Sequence, residues 1–138
     1  MEKFLLQKRA GNLYLIKELS MKKDKYIERF VNASLKIEKS YVSGNTSLGN
    51  KYMKTVAKLR NELPEDVTSY DEIFIPLLGH ESDFVKYHAA YTLLWDKPDI
   101  AISAMEKIAA KKIPLLTYSI NKTIEMFREG KLKSFKKQ

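Results

Sequence analysis

The sequence predicts an all-α domain of stacked helix pairs. Three observations carry that expectation. Apolar residues recur every three to four positions along most of the chain, the rhythm of one helix face. Glycine (5) and proline (4) are few, whereas a β-rich domain of 138 residues needs more turn residues. The third and fourth helices are echoed by the fifth and sixth at an offset of about 31 residues, within the range of helical repeats.

The N-terminal residues 1–20 stand apart. Met21 opens Met-Lys-Lys-Asp-Lys, which reads as a bacterial start. Lys17-Glu18 can be encoded AAG GAG, a ribosome-binding sequence just upstream of it. Residues 1–20 are therefore expected to be an extension translated from upstream sequence, and 21–138 the single domain. The alternative is an additional N-terminal helix carrying Leu5, Leu6, Leu13, Ile16 and Leu19.

The first secure helix is expected over 23–42, where Tyr26, Ile27, Phe30, Val31, Ser34, Ile37 and Tyr41 share a face. Residues 43–50 read as a loop broken by Gly44 and Gly49. Tyr52, Val56, Leu59 and Leu63 form the stripe of the second helix, which Pro64 stops. The third begins near Thr68 or Ser69, with Ser69 and Glu72 at capping-box spacing. It buries Ile73, Phe74, Leu77 and Leu78; Pro76 calls for a kink or a late start, and Gly79 for a stop.

The fourth helix, about 82–95, is apolar on nearly every side. Val85, Ala89 and Leu93 make one face; Phe84, Tyr87, His88, Tyr91 and Trp95 make an aromatic one. Such a helix is packed from several directions, so it is expected at the centre. Pro98 opens the fifth, whose inner stripe is Ile100, Ala101, Ala104, Met105 and Ile108. The sixth follows Pro114 with Leu116, Ile120, Ile124 and Phe127, and Gly130 ends it.

Composition excludes whole classes of function. With no cysteine there is neither a disulfide nor a thiolate metal site. No apolar run approaches the ~20 residues of a membrane span, and Lys8 and Arg9 interrupt the N-terminal apolar stretches where a secretory signal would lie. The expectation is a cytoplasmic protein with no membrane partner, in which the sequons at Asn32, Asn45 and Asn121 carry no meaning. A net charge of +8 disfavours a nucleic-acid mimic and permits an anionic partner.

The stretch Leu77-Leu78-Gly79-His80-Glu81-Ser82-Asp83-Phe84-Val85-Lys86, followed by Ala89-Ala90 and Leu93-Leu94, resembles HEAT-like repeats. There a leucine pair closes one helix, a short polar turn follows, and Val-Lys and Ala-Ala open the next. The wider pattern from Tyr26 to Leu132 is similar to a small bacterial family of helical domains of uncharacterised function. Asn50-Lys51-Tyr52 before the second helix and an Ala-rich fifth helix also fit. The resemblance implies a right-handed α-α superhelix of about six helices and brings no catalytic residues. Some relatives are thought to lie beside polymorphic toxin genes as immunity proteins.

Each candidate for chemistry has a simpler explanation. His80-Glu81 starts like a zinc-protease motif, but Phe84 stands where the second histidine belongs. His80 and His88 are too few for the usual three-ligand site, so no metal or cofactor is expected; His80 belongs in a turn and His88 at the core edge. The segment 44–51 imitates a phosphate loop with its lysine displaced by one and a helix before it. Asp71, Glu72, Glu81, Asp83, Asp96 and Asp99 lie at helix starts, where they complement the N-terminal dipole. Lys51, Lys54, Lys58 and Arg60, then Lys107, Lys111 and Lys112, and the tail Lys131, Lys133, Lys136 and Lys137, read mostly as solvated faces.

Core packing accounts for the aromatic row of the fourth helix. A groove whose aromatic anchors hold a protein partner is the alternative, which makes Tyr87, His88, Tyr91 and Trp95 the candidate partner-binding residues. The expected function is that of a non-enzymatic protein-binding module, an immunity- or antitoxin-type protein that blocks a partner toxin. The alternative is nucleic-acid binding, as in HEAT-like DNA repair glycosylases.

Overall fold

The computed structural model describes the backbone of residues 2–135 and the side chains of residues 22–135. Within them are six helices and no strand: α1 (Glu2–Ser43), α2 (Thr46–Asn61), α3 (Tyr70–Leu77), α4 (Asp83–Leu93), α5 (Pro98–Ala109) and α6 (Leu116–Arg128). Helix α1 runs on from the segment expected to precede the start, so 2–20 and 23–42 form one helix. The side chains of Leu5, Leu6, Leu13, Ile16 and Leu19 lie outside the described residues.

Neighbours in sequence pack as pairs: α1 on α2, α3 on α4, α4 on α5 and α5 on α6, with α4 also against α1. Helix α4 is central, as its composition requires. Val85, Ala89 and Leu93 are fully buried, and so are their counterparts one repeat later, Leu116 and Ile120, with Ile124 nearly so. Phe30, Ile37, Val56, Ile73 and Phe74 complete the core from α1, α2 and α3. Ring edges meet ring faces there: Phe30 and Tyr26 approach Phe74 at 5.0 and 6.4 Å.

Local chemistry sets the helix ends. The Asn45 side chain accepts the Leu48 N–H at 3.1 Å, and the Ser82 hydroxyl accepts those of Phe84 and Val85. Pro98 occupies the first turn of α5, where its missing N–H has no partner to lose. Gly44 and Gly130 close α1 and α6 at φ of +71° and +70°. The Ser69–Glu72 capping box does not form. Ser69 caps the Asp71 N–H instead, and the Thr68 hydroxyl donates to Glu72 at 2.7 Å. Pro76 falls in the last turn, so α3 simply stops one residue later.

Two further expectations are corrected. Gly49 is not a loop breaker: it lies inside α2, buried against α1, and a Cβ there would stand 2.7 Å from Ser40 Oγ. Its missing side chain lets the two helices cross closely. Ile100 is not on the inner stripe of α5; it is exposed, while Ala101, Met105 and Ile108 face inward.

Candidate functional site

The expected partner-binding row divides by depth. Tyr87 and His88 are buried, with His88 only 3% exposed, whereas Tyr91 and Trp95 are half-buried. The Tyr87 hydroxyl meets Thr123 Oγ1 at 2.8 Å, tying α4 to α6. Burial raises its pKa, as it does for Tyr26, whose hydroxyl donates to the Leu59 carbonyl. Tyr91 and Trp95 stack edge to face at 5.5 Å, and Trp95 meets Phe127 and Phe135 at 6.0 and 5.4 Å. The structure thus gathers the outer rings with the C-terminal tail.

Behind this row sits a residue that sequence reasoning placed on a solvated face. Arg60 is 5% exposed. Its Nε donates to Thr92 Oγ1 at 2.9 Å, and its Nη2 donates to the His88 carbonyl at 3.0 Å and lies 3.3 Å from His88 Nδ1. The guanidinium lies 4.4 Å from the Tyr91 ring centre, a cation–π arrangement. Tyr70 donates to the Arg60 carbonyl at 2.7 Å. Among the described residues no carboxylate lies within ion-pair distance of Arg60. Burial pulls its pKa down to about 10, partly offset by Tyr91, Tyr87 and Tyr26, so it stays charged at neutral pH. Burial and the adjacent guanidinium push His88 down to about 3, so His88 is neutral. This clasp joins α2 to α4; it is closed to solvent.

The other candidates sit where simpler chemistry puts them. His80 accepts the Ser82 N–H on Nδ1 at 2.9 Å, within the turn before α4. Asp83 pairs with Lys111 at 2.8 Å and Lys86 at 3.8 Å. Those pairs rim a depression of about 510 Å³ between α4 and α5, where Leu78, Ile100 and Lys107 also lie. Among the described residues no three His, Asp or Glu side chains converge as a metal site requires, and no helix is long and apolar enough to cross a membrane. Lys51, Lys54, Lys58, Lys107, Lys111, Lys112, Lys131 and Lys133 are exposed; Lys136 and Lys137 lie outside the described residues.

A second surface was not legible as a site. Val42 (86% exposed), Leu115 (65%), Met53 and Leu35 are large apolar side chains open to solvent. They line two neighbouring depressions at one end of the helix stack. The first, about 280 Å³, lies among Ile37, Tyr41, Gly49, Met53 and Leu115. The second, about 580 Å³, lies among Leu35, Glu38, Val42, Phe84 and Ile113. Tyr41 walls the first and packs its ring at 4.9 Å on Phe84 of the second.

Leu115 is displayed by strained backbone. It has φ +67° and ψ −44°, and the Leu116 N–H reaches back to the Pro114 carbonyl at 2.7 Å. That is a γ-turn of the rare positive-φ kind, unfavourable for a residue with a bulky side chain. Lys112, three residues earlier, also has positive φ. The Thr117 hydroxyl pins the turn by accepting the Ile113 N–H at 2.8 Å. Comparison with known protein families, curated proteins and solved structures finds no match.

Proposed function

We propose that the protein is a non-enzymatic protein-binding module, its helix pairs arranged as a HEAT-like right-handed superhelix, and that it acts as an immunity- or antitoxin-type protein that binds and blocks a toxin. The observation that carries the reading is the exposed apolar end face of Leu35, Val42, Met53 and Leu115. Isolated apolar residues on a surface need no explanation, but a set lining adjoining depressions marks an interaction surface. Strain held at the exposed Leu115 turn points the same way, because such strain persists at ligand clamps and binding loops. The internal 31-residue echo supports the repeat arrangement, since equivalent positions 85/116, 89/120 and 93/124 are all buried.

Deletion of the gene tests the role. It leaves the cell open to a toxin encoded beside it, and the wild-type gene restores protection while a V42D/L115D variant does not. A harmless deletion with no toxin gene nearby contradicts the reading. Binding to duplex DNA with a steep salt dependence favours the nucleic-acid alternative instead.

A further inference from the structure

Beyond α6 the chain turns back on itself. Gly130, at positive φ, and the Lys131 N–H, which donates to the Met126 carbonyl at 2.8 Å, reverse its direction. The segment that follows has no helix or strand. It is seated by two apolar side chains three residues apart. Leu132 packs against the core, and Phe135 enters the cleft between Tyr70 of α3 and Trp95, just beyond α4. Phe135 meets Tyr70 at 5.6 Å and 70°, and Trp95 at 5.4 Å and 86°. Trp95 and Tyr70 already have aromatic partners without it, Tyr91 and Phe127 for the first and Phe74 for the second. The cleft walls are therefore built by the helices, and Phe135 is added to them.

Lys131 precedes the anchors and pairs with Glu129 at 2.8 Å; Lys133 and Ser134 lie between them. The arrangement has the parts of a short-peptide site: aromatic walls and two apolar anchors.

We propose that the Tyr70–Trp95 cleft is a binding site for a peptide segment with leucine and phenylalanine three residues apart, and that residues 132–135 of this chain are its resident, exchangeable ligand. The proposal is independent of the end face around Leu115. Tethering explains why a short segment stays seated: a link of a few residues holds its ligand at an effective concentration on the order of millimolar. A free peptide of the same kind exchanges with it at comparable concentration.

Trp95 is the only tryptophan in the chain, so its fluorescence reads the cleft directly. The full-length L132A/F135A variant is expected to keep its helical circular dichroism and to shift its emission to longer wavelength. A synthetic peptide of residues 131–138 then reverses the shift saturably, and the same peptide carrying F135A binds at least ten-fold more weakly. Absence of saturable reversal, or equal binding of the two peptides, overturns the proposal. Loss of the helical signal in the variant overturns it too, because the tail is then part of the core.

Discussion

Arg60 and His88 share a buried contact in which two positive charges cannot coexist: Arg60 Nη2 lies 3.0 Å from the His88 carbonyl and 3.3 Å from its Nδ1. The guanidinium holds the charge, and the imidazole is neutral and accepts. A buried cation without a carboxylate is costly unless its donors are used. Here a hydroxyl, a carbonyl, a ring nitrogen and an aromatic face use them.

Removing the cation therefore separates packing from charge. Arg60→Ala leaves a cavity and strips partners from Thr92 and the His88 carbonyl, and is expected to lower stability by about 3 kcal/mol. Arg60→Met restores most of the volume and recovers at least half of that loss. Arg60→Lys cannot reproduce the planar fork over Tyr91 and falls between them. Urea unfolding midpoints of the three variants check the order.

The same contact predicts the acid limb of stability. The His88 pKa in the folded chain, about 3, lies below its ordinary value of about 6.5 in the unfolded chain. The unfolded state thus takes up a proton first as pH falls. Stability from this residue is complete above about pH 6.5 and declines down to about pH 3, at up to about 1.4 kcal/mol per pH unit. Urea unfolding at pH 7 and pH 5 should differ by about 2 kcal/mol from this source. His88→Gln should flatten that difference.

Gly49 and Ser40 form the tightest point between α1 and α2. Alanine is the better helix former by about 1 kcal/mol, yet Gly49→Ala places a carbon 2.7 Å from the Ser40 hydroxyl oxygen. The crossing has to open, and a net loss of about 1–2 kcal/mol is expected. Adding Ser40→Ala removes the obstructing oxygen, so the double variant should be more stable than the sum of the singles. Thermal melts of all four chains measure the coupling.

Leu115 is expected to trade stability for recognition. Asparagine tolerates positive φ far better than leucine, so Leu115→Asn should raise stability by about 0.5–1 kcal/mol. The same change removes an exposed apolar anchor and should weaken partner binding at least ten-fold, an effect of about 1.4 kcal/mol or more. Equal partner affinity in the relaxed variant argues that the turn is strained for some other reason.

How far the sequence reached follows from what each feature depends on. Helix content, the central place of α4 and the paired burial of Val85 with Leu116 follow from periodicity, which one chain displays. The depth of Arg60 was also legible: it stands four residues after Val56 and beside Leu59, on the inner face of α2. Its charge concealed it, because a buried guanidinium is recognised only with its acceptors, which come from α4. Gly49 was misread because a glycine for close helix approach and a glycine for a loop look alike in sequence. The Leu115 turn and its gathering with Val42 and Met53 depend on backbone angles and on neighbours far apart in the chain, and no local pattern announces them. Phe135 was hidden in a tail whose lysines dominated its reading.

The end face is tested most directly by backbone amide hydrogen exchange of the wild-type chain, alone and with the product of any toxin gene found beside its own. Slowed exchange is expected to concentrate around residues 35–42, 46–53 and 113–116, and Leu115→Asn is expected to need at least ten-fold more partner for the same slowing. Slowed exchange confined to the basic face of α2, or protection by duplex DNA in place of the protein, contradicts it.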